Sequence, residues 1–321
     1  MQTRTLKSDS LLLLAAFFWG TTFVAQRMGM DHLGPMTYNA LRFALGALTL
    51  LPLILTFRVN RVGWGLPHQE DPGGASPTLR LLCGGGLLAG LALFGGASLQ
   101  QMGLVYTTAG KAGFITSLYV VLVPLAGLLL GHRSNWAVWA GAALAVAGLY
   151  LLSVTESFTI ARGDLLVLGS AFFWTIHVLL IGYLAQRAHP LHIAGIQFLA
   201  CAALSLLAAV LFENITLTAI RAAAVAILYA GIFSAGVAFT LQVVCQRTSP
   251  PAHAAIVMSL ETVFAALAGY LILHERLTPR DLAGCALMFA GLIVVQLPLL
   301  LHSSTTRNPS PQPGNARSEQ L

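Results

Sequence analysis

The chain has 321 residues, of which 57% are hydrophobic and only 9% are charged, whereas a typical soluble domain carries about 25% charged residues. A soluble protein of this size could not bury so much apolar surface, so the composition excludes a soluble globular domain and indicates a protein solvated by a lipid bilayer. The formal net charge is +6, but the basic residues form no run or face, which argues against nucleic acid as a partner.

The N-terminal stretch carries Arg4 and Lys7 before an apolar run, as a secretory signal peptide does. The run continues to about Val24, and no clear small-residue cleavage site follows it. Because many further apolar stretches come later in the chain, we expect this segment to stay in place as a first transmembrane helix.

About 20 apolar residues are needed to cross a bilayer as a helix. The chain contains ten such stretches, so we predict an all-α integral membrane protein with ten transmembrane helices. The predicted spans are 11–30, 35–57, 79–99, 110–130, 136–153, 164–184, 191–211, 222–244, 251–273 and 281–301. Residues 58–78, rich in Gly and Pro, predict a flexible connector. Residues 302–321, rich in Ser, Pro and Asn, predict a disordered cytoplasmic tail.

The first span is repeated later in the chain. Residues 9–19 (DSLLLLAAFFW) match residues 164–174 (DLLVLGSAFFW) at seven of eleven positions, and the same offset of 155 places Pro35 on Pro190. Later helices repeat as well: Leu99-Gln100 matches Leu241-Gln242, and Ser117-Leu118 matches Ser259-Leu260. Self-similarity at a fixed offset indicates a duplicated unit.

The duplication divides the predicted helices into residues 1–155 and 156–301, with five helices in each part. An odd number of helices per unit places the second unit upside down relative to the first, as in many secondary transporters. The fold class predicted from sequence is therefore ten helices in two inverted five-helix repeats. Pairs of small residues, Ala140-Gly141 and Ala290-Gly291 among them, predict close helix contacts within the monomer. The sequence leaves open whether the protein is a monomer or a homodimer.

The distribution of Lys and Arg predicts the orientation. With the N-terminus inside, about ten of them fall on the cytoplasmic side and about six outside, and positive loops face the cytoplasm. We therefore expect both termini to be cytoplasmic.

Four separated motifs are familiar. They are WGTTFVA at 19–25, Arg42 in the second span, SLETVFAAL at 259–267, and LHERLT at 273–278 followed by AGCAL at 283–287. Together they resemble the EamA-type branch of the drug/metabolite transporter superfamily, over essentially the whole chain to about residue 301. The resemblance implies two inverted five-helix repeats, a central cavity, and export of small metabolites, often amino acids, or of drugs. It also implies a bacterial inner membrane location.

Ionisable side chains within a span are costly and are therefore candidates for function. Glu261 lies about ten residues into the ninth predicted span, and His177 lies midway along the sixth. Both are candidate proton-coupling sites, because each is placed to take up and release a proton within the bundle. A simple helix–helix hydrogen bond would explain either residue equally well.

Arg42 lies about two turns into the second span, where it is a candidate to hold a substrate carboxylate, or else to pin two helices through carbonyl oxygens. Trp19 and Trp174 occupy matched positions in the two repeats and are candidates for cavity walls, or for bulk packing. Polar residues within hydrocarbon must face the bundle interior or water, so further cavity residues are expected at Thr22, Gln26, Tyr38, Asn39, Gln100, Gln101, Ser117, Tyr119, Gln197, Gln242 and Ser259.

Several chemistries lack the residues they need. His274-Glu275 begins a zinc-protease motif, but Thr278 stands where the second His ligand is required. The sequence has no Walker phosphate loop, and its four cysteines lie singly in apolar stretches, where we read them as small buried hydrophobes. We expect no cofactor and no metal. Glu275 and Arg276 are read as interfacial residues at the end of the ninth span.

These observations favour a proton- or gradient-driven exporter of a small solute that works by alternating access. The partners expected are the small-molecule substrate and the lipid bilayer. An importer or exchanger of the same fold, similar to the nucleotide-sugar carriers, is the alternative within transporters. An intramembrane enzyme would need a nucleophile–base pair or a metal cluster, and a channel or sensor would favour oligomeric symmetry or a signalling domain; neither is evident in the sequence.

Overall fold

The computed structural model describes residues 2–59, 77–107, 109–153, 162–272 and 278–305, and every regular element in these ranges is a helix. The elements are α1 (Gln2–Met30), α2 (Pro35–Val59), α3 (Pro77–Leu104), α4 (Ala109–Ser117), α5 (Tyr119–Leu129), α6 (Trp136–Ser153), α7 (Arg162–Leu184), α8 (Pro190–Phe212), α9 (Leu217–Ala222), α10 (Ala224–Tyr229), the π-helix π1 (Ala230–Phe239), α11 (Thr240–Cys245), α12 (Pro251–Met258), α13 (Glu261–Ile272) and α14 (Pro279–Thr305).

Eight helical stretches in the described residues are long and apolar enough to cross a membrane. They are Leu6–Met30, Pro35–Leu55, Arg80–Leu104, Ala112–Leu129, Arg162–Leu184, Pro190–Phe212, Ala224–Cys245 and Pro251–Ile272. A shorter apolar helix, Trp136–Leu151, coincides with the fifth predicted span, and α14 coincides with the tenth. The expectation of an all-helical, multi-pass membrane protein is confirmed, whereas the ten-helix inverted repeat stays a prediction.

Three predicted spans are not continuous α-helices. The fourth breaks at Leu118, between α4 and α5, and the ninth breaks at Ser259 and Leu260, between α12 and α13. At both breaks the backbone tightens to bonds three residues apart, such as Leu118 N–H to Ile115 O at 3.3 Å and Leu260 N–H to Val257 O at 3.3 Å. The eighth span contains the ten residues of π1. Hydropathy carries no signal for such breaks because the residues on either side are equally apolar.

Long helices from the two halves of the chain pack against each other throughout the bundle. The main contacts join α3 to α7 and α8, α2 to α8 and π1, α1 to α13 and π1, and α6 to α14. Glycines let backbones approach at these seams: a Cβ on Gly96 would lie 3.0 Å from the Trp174 ring, and one on Gly46 would lie 2.6 Å from the Ala235 Cβ. The buried core accordingly lies between the halves rather than within either one.

The small residues predicted to bring helices together do so between α6 and α14. A Cβ on Gly141 would lie 2.9 Å from the carbonyl oxygen of Gly291, and one on Gly148 would lie 2.5 Å from that of Gly284. Without side chains at these crossings, the two backbones approach closely, as in other membrane helix pairs.

Some predictions concern residues that the structure does not describe. Most of the connector at 58–78 and the interfacial pair Glu275 and Arg276 fall outside the described ranges. Helix α14 runs to Thr305, past the predicted start of the tail, and residues 306–321 also lie outside them.

Adding a methyl group at the α6–α14 seam should destabilise the bundle. Gly148→Ala places a Cβ against the Gly284 carbonyl and the Met288 side chain, and overpacking of this kind costs about 1–3 kcal/mol. We expect a lower midpoint of thermal unfolding in detergent. Gly84→Ala in α3 is the matched control, because its Cβ would meet no atom within 4 Å. An equal loss of stability in both variants would contradict the proposed seam.

Candidate functional site

A cavity with about 500 Å³ of atom-free space, part of it open to the surroundings, lies between the two halves of the bundle. Nearly every helix that packs along the central seam contributes to its wall. The lining residues are Trp19, Phe23 and Gln26 of α1, Arg42 of α2, Gln100 of α3, Thr116 of α4, Tyr119 of α5, Trp174, His177 and Val178 of α7, Ser234 and Phe239 of π1, Gln242 of α11, Met258 of α12 and Glu261 of α13.

The structure brings many of the sequence-derived candidates together on this wall. Trp19, Gln26, Arg42, Gln100, Tyr119, Trp174, His177, Gln242 and Glu261 all line the cavity. The wall therefore unites residues from both ends of the sequence.

Six other candidates are buried but lie behind the wall: Thr22, Tyr38, Asn39, Gln101, Ser117 and Ser259. Several of them bond to backbone carbonyls. The hydroxyl of Thr22 donates to the carbonyl of Phe18 over 2.6 Å, and the hydroxyl of Ser259 donates to that of Ile256 over 2.8 Å. Small hydroxyl side chains in a helix satisfy themselves in this way, so a polar residue in a span need not face a cavity. Gln197, also expected there, bonds to His177 from behind.

Many wall residues occur as matched pairs from the two repeats. Trp19 with Trp174 and Phe23 with Val178 are separated by 155 residues; Gln100 with Gln242, Thr116 with Met258, and Tyr119 with Glu261 are separated by 142. Of the six wall residues that the sequence analysis missed, Phe23, Val178, Thr116 and Met258 belong to these pairs. The offsets alone could not have found them, because the partner of each one is also a missed residue. Phe23 and Val178 stand one helical turn after Trp19 and Trp174, and that spacing is the signal that could have found those two.

The other two missed residues, Ser234 and Phe239, belong to π1. Their partners at an offset of 142 are Ala92 and Ala97, which belong to the regular helix α3. A π-helix is wider than an α-helix and often marks a functional site. The run AGIFSAGVAF carries no pattern that indicates a π-helix, so these two positions were not predicted.

Phe239 joins the aromatic residues of the wall into one cluster. Its ring is stacked on that of Trp174 with centroids 5.8 Å apart, and it meets Trp19 at 4.8 Å and His177 edge-on at 5.9 Å. Because aromatic faces bind apolar and cationic groups, this cluster offers a largely apolar aromatic surface to a ligand.

The matched pair Tyr119 and Glu261 meets across the seam. The phenol hydroxyl of Tyr119 donates to Oε1 of Glu261 over 3.2 Å, and the hydroxyl of Ser117 donates to the same oxygen over 3.4 Å. Each member of the pair is the first residue of a helix that follows a break, α5 for Tyr119 and α13 for Glu261. The break in the helix is thus what carries each side chain to the centre of the bundle.

Arg42 is only 2% exposed, and no described residue forms an ion pair with it. Its guanidinium carbon lies 5.8 Å from the centre of the Tyr38 ring, and its Nε atom has no hydrogen-bond partner. A buried cation without a carboxylate is expensive. The wall therefore carries a positive charge that an anionic ligand group is suited to neutralise.

Further polar atoms on the wall also lack partners among the described residues. They are Oε1 of Gln26, Oγ1 of Thr116, Nδ1 of His177, Oε1 of Gln242 and the indole nitrogens of Trp19 and Trp174. On the far side of its ring, Nε2 of His177 lies 2.8 Å from Oε1 of Gln197. Buried polar groups are normally paired, so these atoms are the hydrogen-bonding capacity that the cavity offers to water or a ligand.

The described residues hold no group of three or more His, Cys, Asp or Glu side chains placed to bind a metal ion. The features that remain are an aromatic surface, one cation, one carboxylate and several unpaired amide, hydroxyl and ring atoms. They suit reversible binding of a small organic molecule.

Comparison with known protein families identifies the relatives of this chain. The model of the EamA-like transporter family matches this chain twice, over residues 6–154 and again over residues 161–297. The chain belongs to the EamA-like transporter family. An uncharacterized transporter of Archaeoglobus fulgidus is 31% identical to this EamA protein over 303 residues, which cover 92% of this chain and 87% of the relative.

A more specifically named relative is a probable terminal-alkyne amino-acid exporter of Streptantibioticus cattleyicolor, 29% identical over 144 residues, which cover 44% of this chain and 43% of the exporter. A crystal structure with 22% sequence identity shares the fold at a TM-score of 0.70, covering 91% of this chain and 99% of that one. Family and relatives together support a role in membrane transport, which the sequence analysis had expected.

Removing the Phe239 ring, at the centre of the aromatic cluster, should destabilise this EamA protein. Phe239 is 5% exposed and contacts both tryptophans of the wall, so Phe239→Ala should lower the midpoint of thermal unfolding, since deleting a buried Phe typically costs about 3–5 kcal/mol. Phe233→Ala is the matched control on the same helix, because Phe233 is 38% exposed. A larger loss in the control would show that the aromatic cluster is not part of the core.

Proposed function

We propose that this protein is a secondary active transporter that exports a small amino acid-like metabolite or a drug across the bacterial inner membrane, by alternating access and coupled to protons. The observation that carries the proposal is the cavity wall, which is built largely from matched residues of the two halves. It holds one buried carboxylate and one cation that has no ion-pair partner among the residues the structure describes. Binding at such a seam is accessible from either side when the halves rock about it.

The proposed architecture is ten transmembrane helices in two inverted repeats, 1–155 and 156–301, with both termini cytoplasmic. The main helix contacts support the repeat arrangement, because each of them has a counterpart when the halves are exchanged. The α3–α7 contact corresponds to that of α1 with π1 and α11, and the α3–α8 contact corresponds to α2–π1. The contacts of α1 with α13 and α12 correspond to those of α7 with α5 and α4. The α2–α8 and α6–α14 contacts correspond to themselves, as expected for a two-fold axis through the cavity.

The proposed substrate carries a carboxylate. Arg42 presents a planar cation that can hold a carboxylate through two parallel hydrogen bonds, and it has no competing carboxylate among the residues the structure describes. The cluster of Trp19, Phe239 and Trp174 supplies a surface for the apolar part of the same molecule. The name of the Streptantibioticus relative, an amino-acid exporter, agrees with this class and supports the direction of transport.

Glu261 is the proposed proton carrier, and His177 is the second candidate. As a carboxylate, Glu261 accepts the hydroxyl hydrogen of Tyr119, and the two residues belong to different repeats. A protonated Glu261 becomes a donor itself and has less need of that hydroxyl. Protonation would therefore weaken a hydrogen bond that joins the two halves, which links proton binding to movement of one repeat against the other.

The role of Arg42 can be tested by binding. A thermal-shift screen of the purified protein against amino acids and cationic or anionic drugs should find carboxylated ligands that stabilise the fold, since a ligand of the native state raises its stability. Arg42→Gln should lose this stabilisation, and Arg42→Lys should keep part of it because the charge remains. If Arg42→Gln binds the carboxylated ligand as well as the unmutated protein does, Arg42 is a packing residue.

The role of Glu261 can be tested by transport in liposomes. An imposed pH gradient should drive uptake of a ligand found in the screen, and Glu261→Gln should abolish the response to the gradient while the ligand still binds. Gln keeps the size of the side chain and its ability to accept a hydrogen bond from Tyr119. Gradient-driven transport at an unchanged rate in Glu261→Gln would remove this residue from the coupling mechanism, and the same measurement on His177→Gln would then test the second candidate.

A further inference from the structure

A second polar cluster lies away from the cavity, where the first turns of α1 meet the connection between α11 and α12. Nε2 of His253 donates to Oδ1 of Asp9 over 2.7 Å, and the Ser8 hydroxyl lies 3.1 Å from that of Ser249. All four residues are less than 9% exposed. We call this cluster of Ser8, Asp9, Ser249 and His253 the α1 latch.

The α1 latch joins the two halves of the chain at one end of the bundle. Ser8 and Asp9 come from the first helix of the first half, and Ser249 and His253 come from the middle of the second half. A Cβ on Gly182 would lie 2.6 Å from the Pro251 ring, so the α11–α12 connection is held on one side by α1 and on the other by α7.

A chain of hydrogen bonds leads from this connection to the cavity wall. The amide of Gln246 donates to the carbonyl of Val178 over 3.0 Å, and its oxygen accepts from Nε2 of Gln242 over 3.1 Å. Gln242 and Val178 both line the cavity. Movement of the connection away from α1 would displace Gln246 and with it two residues of the wall.

The Cys245 thiol of α11 contacts the latch directly, by a hydrogen bond with Ser8, and further charged and titratable groups surround it. Lys7 is exposed on α1, and Arg247 belongs to the α11–α12 connection. In the neighbouring α7–α8 connection, burial and the charges of His192 and Arg247 lower the pKa of His189, so this imidazole stays neutral near pH 7. The Asp9–His253 bond is a direct charge-assisted link between the halves at this end.

The equivalent junction of the other repeat is held together by different side-chain contacts. Asp164 stands 155 residues after Asp9 and accepts a hydrogen bond from Thr107 over 2.7 Å, and Thr107 stands 142 residues before Ser249. The counterparts of Gln246 and Val178 at these offsets are Leu104 and Phe23, which lie together in one apolar cluster. Two equivalent junctions thus exist. The junction at α1 is connected to the cavity wall by the hydrogen bonds of Gln246, whereas the counterparts Leu104 and Phe23 are packed as apolar side chains.

The α1 latch contributes little net free energy to the closed form, as suits a contact that opens. Oδ2 of Asp9 is buried without a partner among the described residues, and leaving a buried carboxylate oxygen unpaired offsets much of what the bond to His253 contributes. When the connection moves away, water can satisfy both oxygens of Asp9. The closed and open forms are therefore closer in free energy than an apolar contact of the same area would allow.

We infer that the α1 latch is the gate that closes one end of the cavity, and that it breaks when the cavity opens to that side. The inference rests on the proposed function, because a gate has meaning only in alternating access. In the proposed orientation this end is cytoplasmic, so the latch holds the side from which substrate enters for export.

Reversible cross-linking tests the gate directly. In a variant with Cys83, Cys201, Cys245 and Cys285 replaced by Ala, Ser8→Cys with Ser249→Cys should form a disulfide, because the two hydroxyl oxygens lie 3.1 Å apart. Oxidation should lower transport at least about tenfold, and a reducing agent should restore it. The Ser8→Cys single variant is the control and should not respond. Failure to cross-link, or unchanged transport by the cross-linked protein, would overturn the inference.

A second measurement does not depend on transport. A reporter Ser234→Cys on the cavity wall, in the same background, should react slowly with a membrane-impermeant thiol reagent applied from the latch side. Asp9→Ala should speed this reaction roughly tenfold, the effect of losing a charge-assisted hydrogen bond of ordinary strength. It should not speed the reaction from the opposite side, whereas Asp9→Asn, which keeps an acceptor for His253, should have a smaller effect.

The two assays separate the gate from the transport function. Labelling that is unaffected by Asp9→Ala would overturn the gate even if transport proceeds. Labelling that responds as expected, in a protein for which no tested solute is transported, would uphold the gate and place the failure in the proposed substrate or coupling ion.

Discussion

The organisation of this protein follows from the scarcity of hydrogen-bond partners in lipid. A polar side chain on a membrane helix can find a hydrogen-bond partner in three places: on the backbone of its own helix, on a side chain across the seam, or in the cavity. Thr22 takes the first, Tyr119 and Glu261 take the second, and Arg42 and the Oε1 atom of Gln242 are left to the third. The cavity is where the polar groups that the bundle does not pair with one another come together, and for that reason it is also where a solute can be recognised.

The sequence predicted the parts of this arrangement that depend on composition and repetition. Apolar runs located the spans, and the match of residues 9–19 with 164–174 led to Trp19 and Trp174, which both line the cavity. It did not predict which hydroxyl groups bond to their own backbone, as Ser259 does, because that choice depends on a rotamer and not on the residue type. It also missed Phe239, because nothing in the run AGIFSAGVAF distinguishes a π-helix from an α-helix.

Duplication explains why the wall is similar on its two sides and why the differences matter. Matched positions can occupy equivalent places in the wall, so a difference in residue type between them changes the chemistry at one place and not at the other. Tyr119 and Glu261 are the clearest case, since one member of the pair is a phenol and the other a carboxylate. The junctions at the two ends follow the same pattern, with Gln246 and Val178 joined by a polar bond where Leu104 and Phe23 pack as hydrocarbon.

The π-helix has a consequence for motion. An α-helix and a π-helix differ by the register of one residue, so a shift between them turns everything beyond the junction about the helix axis without unfolding it. Helix π1 lies directly before α11, which carries Gln242, and it ends at Phe239, which fills the centre of the aromatic cluster. Taking up or releasing a surplus residue in π1 would rotate the Phe239 ring relative to the two tryptophans while the helix itself stays intact.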